Sequence, residues 1–241
     1  MGLFDFLGGN KDPQKNIDRI KRRLMDQYRQ THERYEAMDD LAKLGTPASL
    51  EAMLERFTLR VSGPTVDEEE KDYCYHQISK WGKVAEAPLR QFIATRDAVY
   101  FPLKALREIA GEDAAVEALL HAIEDCDPGY HEALERLREI VSNLRDFQHD
   151  RVRGALVGLL TSRSNEIRFY ALDGLATYPG EQVAPHFAER MLDPDESMRV
   201  KSLAFELALE HQVPLGPWAD ALPAMIPPNY TLGDDGLLQR A

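Results

Sequence analysis

Apolar positions along this chain recur at helical rather than strand spacing. Residues 13–29 set Ile17, Ile20, Leu24 and Tyr28 on one stripe, ringed by Lys15, Arg19, Lys21, Arg22 and Arg23, which predicts an amphipathic basic helix. Asp12 is a capping residue in front of Pro13, whose fixed φ suits a first turn. Further helices are expected near 31–44, 47–58, 68–81, 84–94, 98–110, 113–124, 130–146, 149–161, 165–177, 181–192, 196–210 and 216–225. The breaks between them carry stop or restart residues: Gly45 with Pro47, Gly63 with Pro64, Gly82, Gly111, Pro128 with Gly129, Pro179 with Gly180, and Pro214 to Pro217. Thr65 and Glu68 have the spacing of a capping box, and His149 with Asp150 opens a helix. Long runs of Val, Ile and Thr are missing, while Ala, Leu, Glu and Arg dominate. From Pro227 the chain reads as an extended tail.

The helical pattern repeats itself every ~30 to 37 residues. Arg34 and Ala37 lead to Leu44 and Gly45; Arg168 and Ala171 lead to Pro179 and Gly180; Lys71 and Cys74 lead to Trp81 and Gly82. Arg199 and Ser202 keep only the opening of the pattern. A period of this size means stacked helical pairs rather than one closed core.

Asp193 stands six positions before Arg199, and Ser162 six before Arg168. With these turns and the Leu-Gly punctuation, the chain resembles HEAT repeats, in particular the bacterial HEAT-like kind. The resemblance covers residues 14–226, is strongest at 149–210, fair at 31–94 and weakest at 98–146, where Tyr100 takes the Arg position. It implies an all-α fold: a right-handed superhelical α-solenoid of about six helical pairs plus a C-terminal helix. Three segments follow: an apolar N-terminal segment over 1–12, the solenoid over 13–226 and the extended tail over 227–241. The resemblance also implies a hydrogen-bonded ladder of turn Asp and helix Arg, which makes Asp193, Arg168 and Arg199 structural.

Charge narrows the partners. The 241 residues carry a formal net charge of −12. That weighs against nucleic acid, whose phosphates need Lys and Arg, and fits a basic protein partner. Residues 1–30 hold seven Lys/Arg against four Asp/Glu, so they carry +3 and the remainder −15. Cys74 and Cys126 form no disulfide framework and no CxxC motif, which suits a reducing cytoplasm. Leu3 to Leu7 is too short and too acidic for a signal peptide, Phe6 breaks a myristoylation pattern after Gly2, and no apolar run approaches the ~20 residues of a membrane span.

Candidate chemistry is sparse. His32 with Glu33 and His131 with Glu132 are His-carboxylate pairs, the donor type that suits iron. Deoxyhypusine hydroxylases are HEAT-like di-iron enzymes with four such motifs, and this chain has two. Half of that ligand set is missing, and ordinary solvent-facing helix starts, with Glu complementing the helix dipole, account for the pairs. A HEAT-like fold also serves one class of alkylation-repair glycosylases, which need a basic groove; Arg151, Arg153, Arg163 and Arg168 are a modest cluster within a strongly acidic chain. Bilin-chromophore lyases share the repeat type, but no residue set here specifies that role. No GxSxG, P-loop, HExxH or GxGxxG motif occurs, and no cofactor is expected. Asp67 to Glu70 charges the first turn of a helix or receives a basic peptide.

HEAT arrays act mostly as scaffolds, so the resemblance implies a non-catalytic, cytoplasmic adaptor that binds a protein or peptide on its concave face. Tyr35, Tyr75, His76, Lys104, Arg107, Arg138 and Tyr170 are the expected contacts, because they lie on helices placed to line that face. At helical spacing, Tyr75 and its aromatic neighbours are read first as core and second as anchors. Phe4, Phe6 and Leu7 cap the array, dock on a partner, or touch an anionic membrane together with the basic helix through residues 1–25. A metal-dependent hydroxylase and a peripheral membrane adaptor are the alternative functions.

Overall fold

A computed structural model describes residues 12–124, Cys126 and residues 131–241, without the side chains of His131, Glu132 and Ala133. Among the described residues there are twelve α-helices. They are α1 Pro13–Leu24, α2 Thr31–Leu44, α3 Pro47–Leu54, α4 Pro64–Ser79, α5 Glu86–Thr95 and α6 Tyr100–Ala110. Then come α7 Glu112–Glu124, α8 His131–Leu144, α9 Asp150–Leu159, α10 Asn165–Leu175, α11 Gly180–Leu192 and α12 Met198–Glu210.

The starts and stops follow local chemistry. The Asp12 carboxylate accepts the Gln14 N–H at 3.1 Å, with Pro13 in the first turn of α1. Gly45 ends α2 at φ 62°, a left-handed conformation that glycine adopts without strain, and Thr46 caps α3 one residue later. Ser164 and Ser197 cap α10 and α12, and His149 caps α9 by accepting from Arg151 N.

Four expectations need correction. The first helix stops at Leu24, not near residue 29, because the Asp26 carboxylate accepts the Tyr28 N–H at 3.0 Å and closes a turn. Tyr28 thereby leaves the apolar stripe and is 86% exposed. Helix α4 begins at Pro64 after Gly63 at φ 94°, so Thr65 lies inside the first turn and does not cap. The helix expected over 216–225 is two 3₁₀ turns, Gly216–Trp218 and Leu222–Ala224, since Pro217 and Pro223 each withhold an N–H. Where an extended tail is expected, β1 Tyr230–Leu232 and β2 Leu238–Arg240 form an antiparallel hairpin. Leu238 buries its side chain, Tyr230 stacks on Phe205 of α12 with ring centres 6.0 Å apart, and Leu215 N donates to Gly236 O at 2.8 Å.

The chain divides into two compact units, Met1–Ala118 and Leu119–Ala241. In the first, α2, α4 and α6 pack side by side, backed by α1, α3 and α5. In the second, α8, α10 and α12 pack in the same succession, with α9 against α10 and α11 against α12. Leu, Ile, Ala and Phe fill the layer between each pair, for example Leu41, Leu50, Met53, Ile78 and Leu89 in the first unit and Leu156, Leu172, Phe187 and Ala204 in the second.

A buried ion cluster joins successive pairs in each unit. In the first, Glu70 of α4 accepts from Arg34 of α2 (Nε 2.7 Å, Nη2 2.6 Å) and from Arg56, which follows α3 (Nε 3.1 Å, Nη2 2.9 Å). Arg56 also donates to Asp67 at 2.9 Å and to the Leu59 carbonyl at 3.0 Å, so this fully buried guanidinium is well satisfied. In the second unit, Glu196 accepts from Arg168 of α10 (Nε 2.8 Å, Nη2 2.6 Å) and from Arg190 of α11 at 3.4 Å. The two arginines stand at the same sequence spacing in both units, Arg34 to Arg56 and Arg168 to Arg190. The ladder implied by the HEAT resemblance therefore exists, with a different acid. Glu196 receives Arg168; Asp193 instead braces the turn by accepting Asp195 N at 2.9 Å and lies 3.5 Å from Arg190. Arg199 places its guanidinium over the Phe169 ring, 4.3 Å from the centre.

Candidate functional site

The adjacent faces of α2, α4 and α6 carry polar side chains that hydrogen-bond from one helix to the next. Positions 72, 73, 75, 76 and 77 of α4 cover more than one helical face, so this helix serves α2 on one side and α6 on the other.

On the α6 side, Lys104 is the hub. Its ammonium donates to Asp72 at 2.9 Å and lies 4.2 Å from the centre of the Tyr75 ring. His76 Nε2 is 3.2 Å from the other Asp72 oxygen, one helical turn along α4. The hydrogen bond from Lys104, more than any other influence, holds the Asp72 carboxyl below the usual carboxylate range. Tyr75 is buried, and its hydroxyl donates to Glu108, which also accepts from Ser79 Oγ at 3.1 Å. Burial, and then the carboxylate beside it, push the Tyr75 phenol up to about 12.

On the α2 side, Tyr73 donates to Asp39 at 2.6 Å, while Gln77 Nε2 donates to Asp39 at 3.0 Å and to the Tyr73 oxygen at 2.8 Å. The Tyr35 ring meets the Tyr73 ring edge-on with centres 4.6 Å apart. The hydrogen bond to Asp39 raises the Tyr73 phenol, and burial raises that of Tyr35.

Of the seven contacts expected from sequence, the structure brings Tyr75, His76 and Lys104 together. Tyr35 joins the same face across Tyr73. Arg107 is exposed on α6 and pairs with Glu112. Tyr75 is a correction in kind: buried, it supports Lys104 from below and presents no free hydroxyl. Arg138 and Tyr170 belong to the second unit, where Arg138 on α8 pairs with Glu135 at 2.7 Å and Glu166 at 3.6 Å, and Tyr170 on α10 packs against Phe169. Phe4, Phe6 and Leu7 lie outside the described residues.

Sequence reasoning missed Asp39, Asp72, Gln77 and Glu108. Asp72 was open to discovery, since its four-residue spacing from His76 is a helical pair. Glu108 was not, because only packing sets it against Tyr75.

The His-Glu pairs resolve unevenly. His32 is exposed, and Glu33 accepts from Gln30 N at 3.1 Å and Arg29 at 2.6 Å, so this carboxylate serves a capping box. His131 and Glu132 have no described side chains. Among the described residues, no group of three or more His, Cys, Asp or Glu is placed to hold a metal ion. Nor is any described helix long and apolar enough to cross a membrane.

Residues 33–57, which are most of α2, the Gly45 turn and α3 with its 3₁₀ end, match the family described as PBS lyase HEAT-like repeat. Residues 33–57 are thus a HEAT-like repeat, set among helices packed in neighbouring pairs. The HEAT match falls in the region where the sequence resemblance is fair rather than in the stronger stretch at 149–210. A search of curated proteins gave no match. Two crystal structures described as engineered proteins show some similarity. One is 18% identical over 87% of this chain and 60% of its own, with a TM-score of 0.34, so the chain spans about three fifths of that structure's length. The other is 19% identical over 81% of this chain and 96% of its own, with a TM-score of 0.31.

Proposed function

We propose that this HEAT-like chain is a non-catalytic scaffold that binds a protein or peptide partner across α2, α4 and α6. The observation that supports this reading is the Asp72–Lys104–Tyr75–Glu108 arrangement. Charged groups there are held in fixed geometry by side chains on two packed helices, α4 and α6, and a preordered surface loses little entropy when a partner settles on it. Tyr35, His76, Lys104 and Arg107 are the contacts on this face; Arg138 and Tyr170 are proposed as contacts of the second unit taken by itself.

The partner is basic. Glu36, Glu68 and Glu69 are exposed on α2 and α4, and the chain as a whole carries −12, so a cationic segment is steered toward this face. The buried thiol of Cys74, outside any disulfide, agrees with a cytoplasmic setting.

The test is a pull-down from the native cell with the full chain and with a Glu36→Lys, Glu69→Lys variant, which reverses the exposed charge on this face, both checked for folding by circular dichroism. A partner retained by the parent and lost by the variant supports the reading. Equal retention by both chains removes this face from consideration.

A further inference from the structure

The geometry points to a second site, at the C-terminal end of α1, that binds the phosphate groups of an anionic ligand. Arg19, Arg22, Arg23 and Arg29 line an open cavity of about 430 Å³ together with Ile20 and Asp26. Arg19, Arg22 and Arg23 stand at i, i+3 and i+4 on α1, so one helical face presents three guanidinium groups, and the α1–α2 connection supplies the fourth.

Helix stability does not account for the cluster. Arg22 and Arg23 complement the negative end of the α1 dipole, but Arg19 lies a turn earlier and Arg29 beyond the helix. Like charges at this spacing repel one another. Two of the four are neutralised locally, Arg23 by Asp40, and Arg29 by Glu33 at 2.6 Å and Asp26 at 3.5 Å. Among the described residues, the other two meet only neutral acceptors: Arg19 donates to Asn16 Oδ1 at 2.9 Å, and Arg22 to the Asp18 carbonyl at 3.3 Å. Arg23 Nε is enclosed with no acceptor of its own. The cavity wall thus holds two uncompensated charges and an unused donor, in a chain that is otherwise strongly acidic.

Guanidinium chemistry selects the ligand. A planar fork of N–H donors matches a phosphate oxygen pair, and several forks around one cavity match a ligand with more than one phosphate. A soluble diphosphate and a phosphorylated lipid headgroup both present that chemistry. This site is separate in residues from the α2–α4–α6 face, so it stands or falls independently of the scaffold reading.

The experiment uses the full chain and two probes: inorganic pyrophosphate by titration calorimetry, and flotation with phosphatidylcholine vesicles that contain or lack a phosphoinositide bisphosphate. The test variant is Arg19→Ala, Arg22→Ala; the control, with the same charge change on exposed residues elsewhere, is Lys80→Ala, Lys83→Ala. Thermal melts check folding, and Arg19→Gln alone replaces the double variant if that one unfolds. Binding to pyrophosphate that weakens about tenfold or more in the arginine variant and is unchanged in the control supports a soluble source. Flotation on the phosphoinositide vesicles alone, lost in the arginine variant, supports the lipid source. No binding to either probe, or binding that the arginine variant and the control retain equally, overturns the site.

Discussion

Arg34 and Glu70 lie thirty-six positions apart and meet in a two-pronged, fully enclosed ion pair, with N···O distances of 2.7 and 2.6 Å. Arg34 belongs to one helical pair and Glu70 to the next, so a single carboxylate fixes how the two stack. Arg56 closes the cluster from the intervening helix. Replacing Glu70 with Gln leaves two enclosed guanidinium groups without their counter-charge. The expected loss is about 3–5 kcal/mol of unfolding free energy, read from urea denaturation. Arg96→Ala, which removes an exposed pair with Glu55, should leave the midpoint nearly unmoved. Equal effects from the two substitutions would show that burial does not set the strength of the cluster.

The same carboxylates set an acid limit. Burial by itself would raise Glu70, but hydrogen bonds from Arg34 and Arg56 outweigh it and hold the carboxyl below the usual glutamate range. Glu196 follows the same balance through Arg168, and Asp67 through Lys71 and Arg56. A carboxyl lower in the folded state than in the unfolded chain adds stability that is complete above the unfolded value. That stability is lost as pH falls through the folded value. Melting temperature should therefore hold steady near neutrality and drop below pH ~4.3. In Glu70→Gln the acid drop should be shallower than in the parent, and an unchanged slope would assign it to other groups.

Cys74 is sealed under α3, with its thiol against the Met53 carbonyl at 3.5 Å, and burial pushes it up to about 12. Burial thus keeps this thiol protonated and unreactive near neutral pH. In a Cys126→Ser protein, a thiol reagent should react with Cys74 no faster than the chain unfolds. Rapid labelling of the native protein would contradict the packing at this helix.

The C-terminal hairpin depends on two glycines in contact. Gly236 sits at φ 75°, and a Cβ there would lie 2.8 Å from the Gly216 Cα and N. Gly236→Ala combines backbone strain with a backbone clash and should cost about 1–3 kcal/mol. It should also weaken the Leu215 N to Gly236 O bond and free Tyr230 from Phe205. Limited proteolysis after residue 226 would report that release, and a variant as resistant as the parent would show that the hairpin tolerates the shift.

The helices were legible in the sequence because their signals are local. Apolar spacing gave α1 its stripe through Ile17, Ile20 and Leu24. Gly45 with Pro47 marked the α2–α3 turn, and the recurrence of Arg34 in Arg168 marked the repeat. Local chemistry also explains the nearby errors: Asp26 captured the Tyr28 N–H, and Gly63 moved the start of α4, both competitions within a few residues that apolar spacing does not register.

What the sequence determined by itself was a chain of amphipathic helices with a period near one helical pair. Periodicity and caps act within three or four residues and so appear in any window. Tertiary structure alone decided which acid each repeat arginine meets, Glu70 and Glu196 rather than the turn aspartate. It also decided that Tyr75 lies buried against Glu108 beneath Lys104, and that the C-terminal residues fold back as a hairpin. Each of those outcomes joins groups about 28 to 36 residues apart or a segment to a helix surface. Such partnerships are selected by which packing satisfies every enclosed charge and N–H at once.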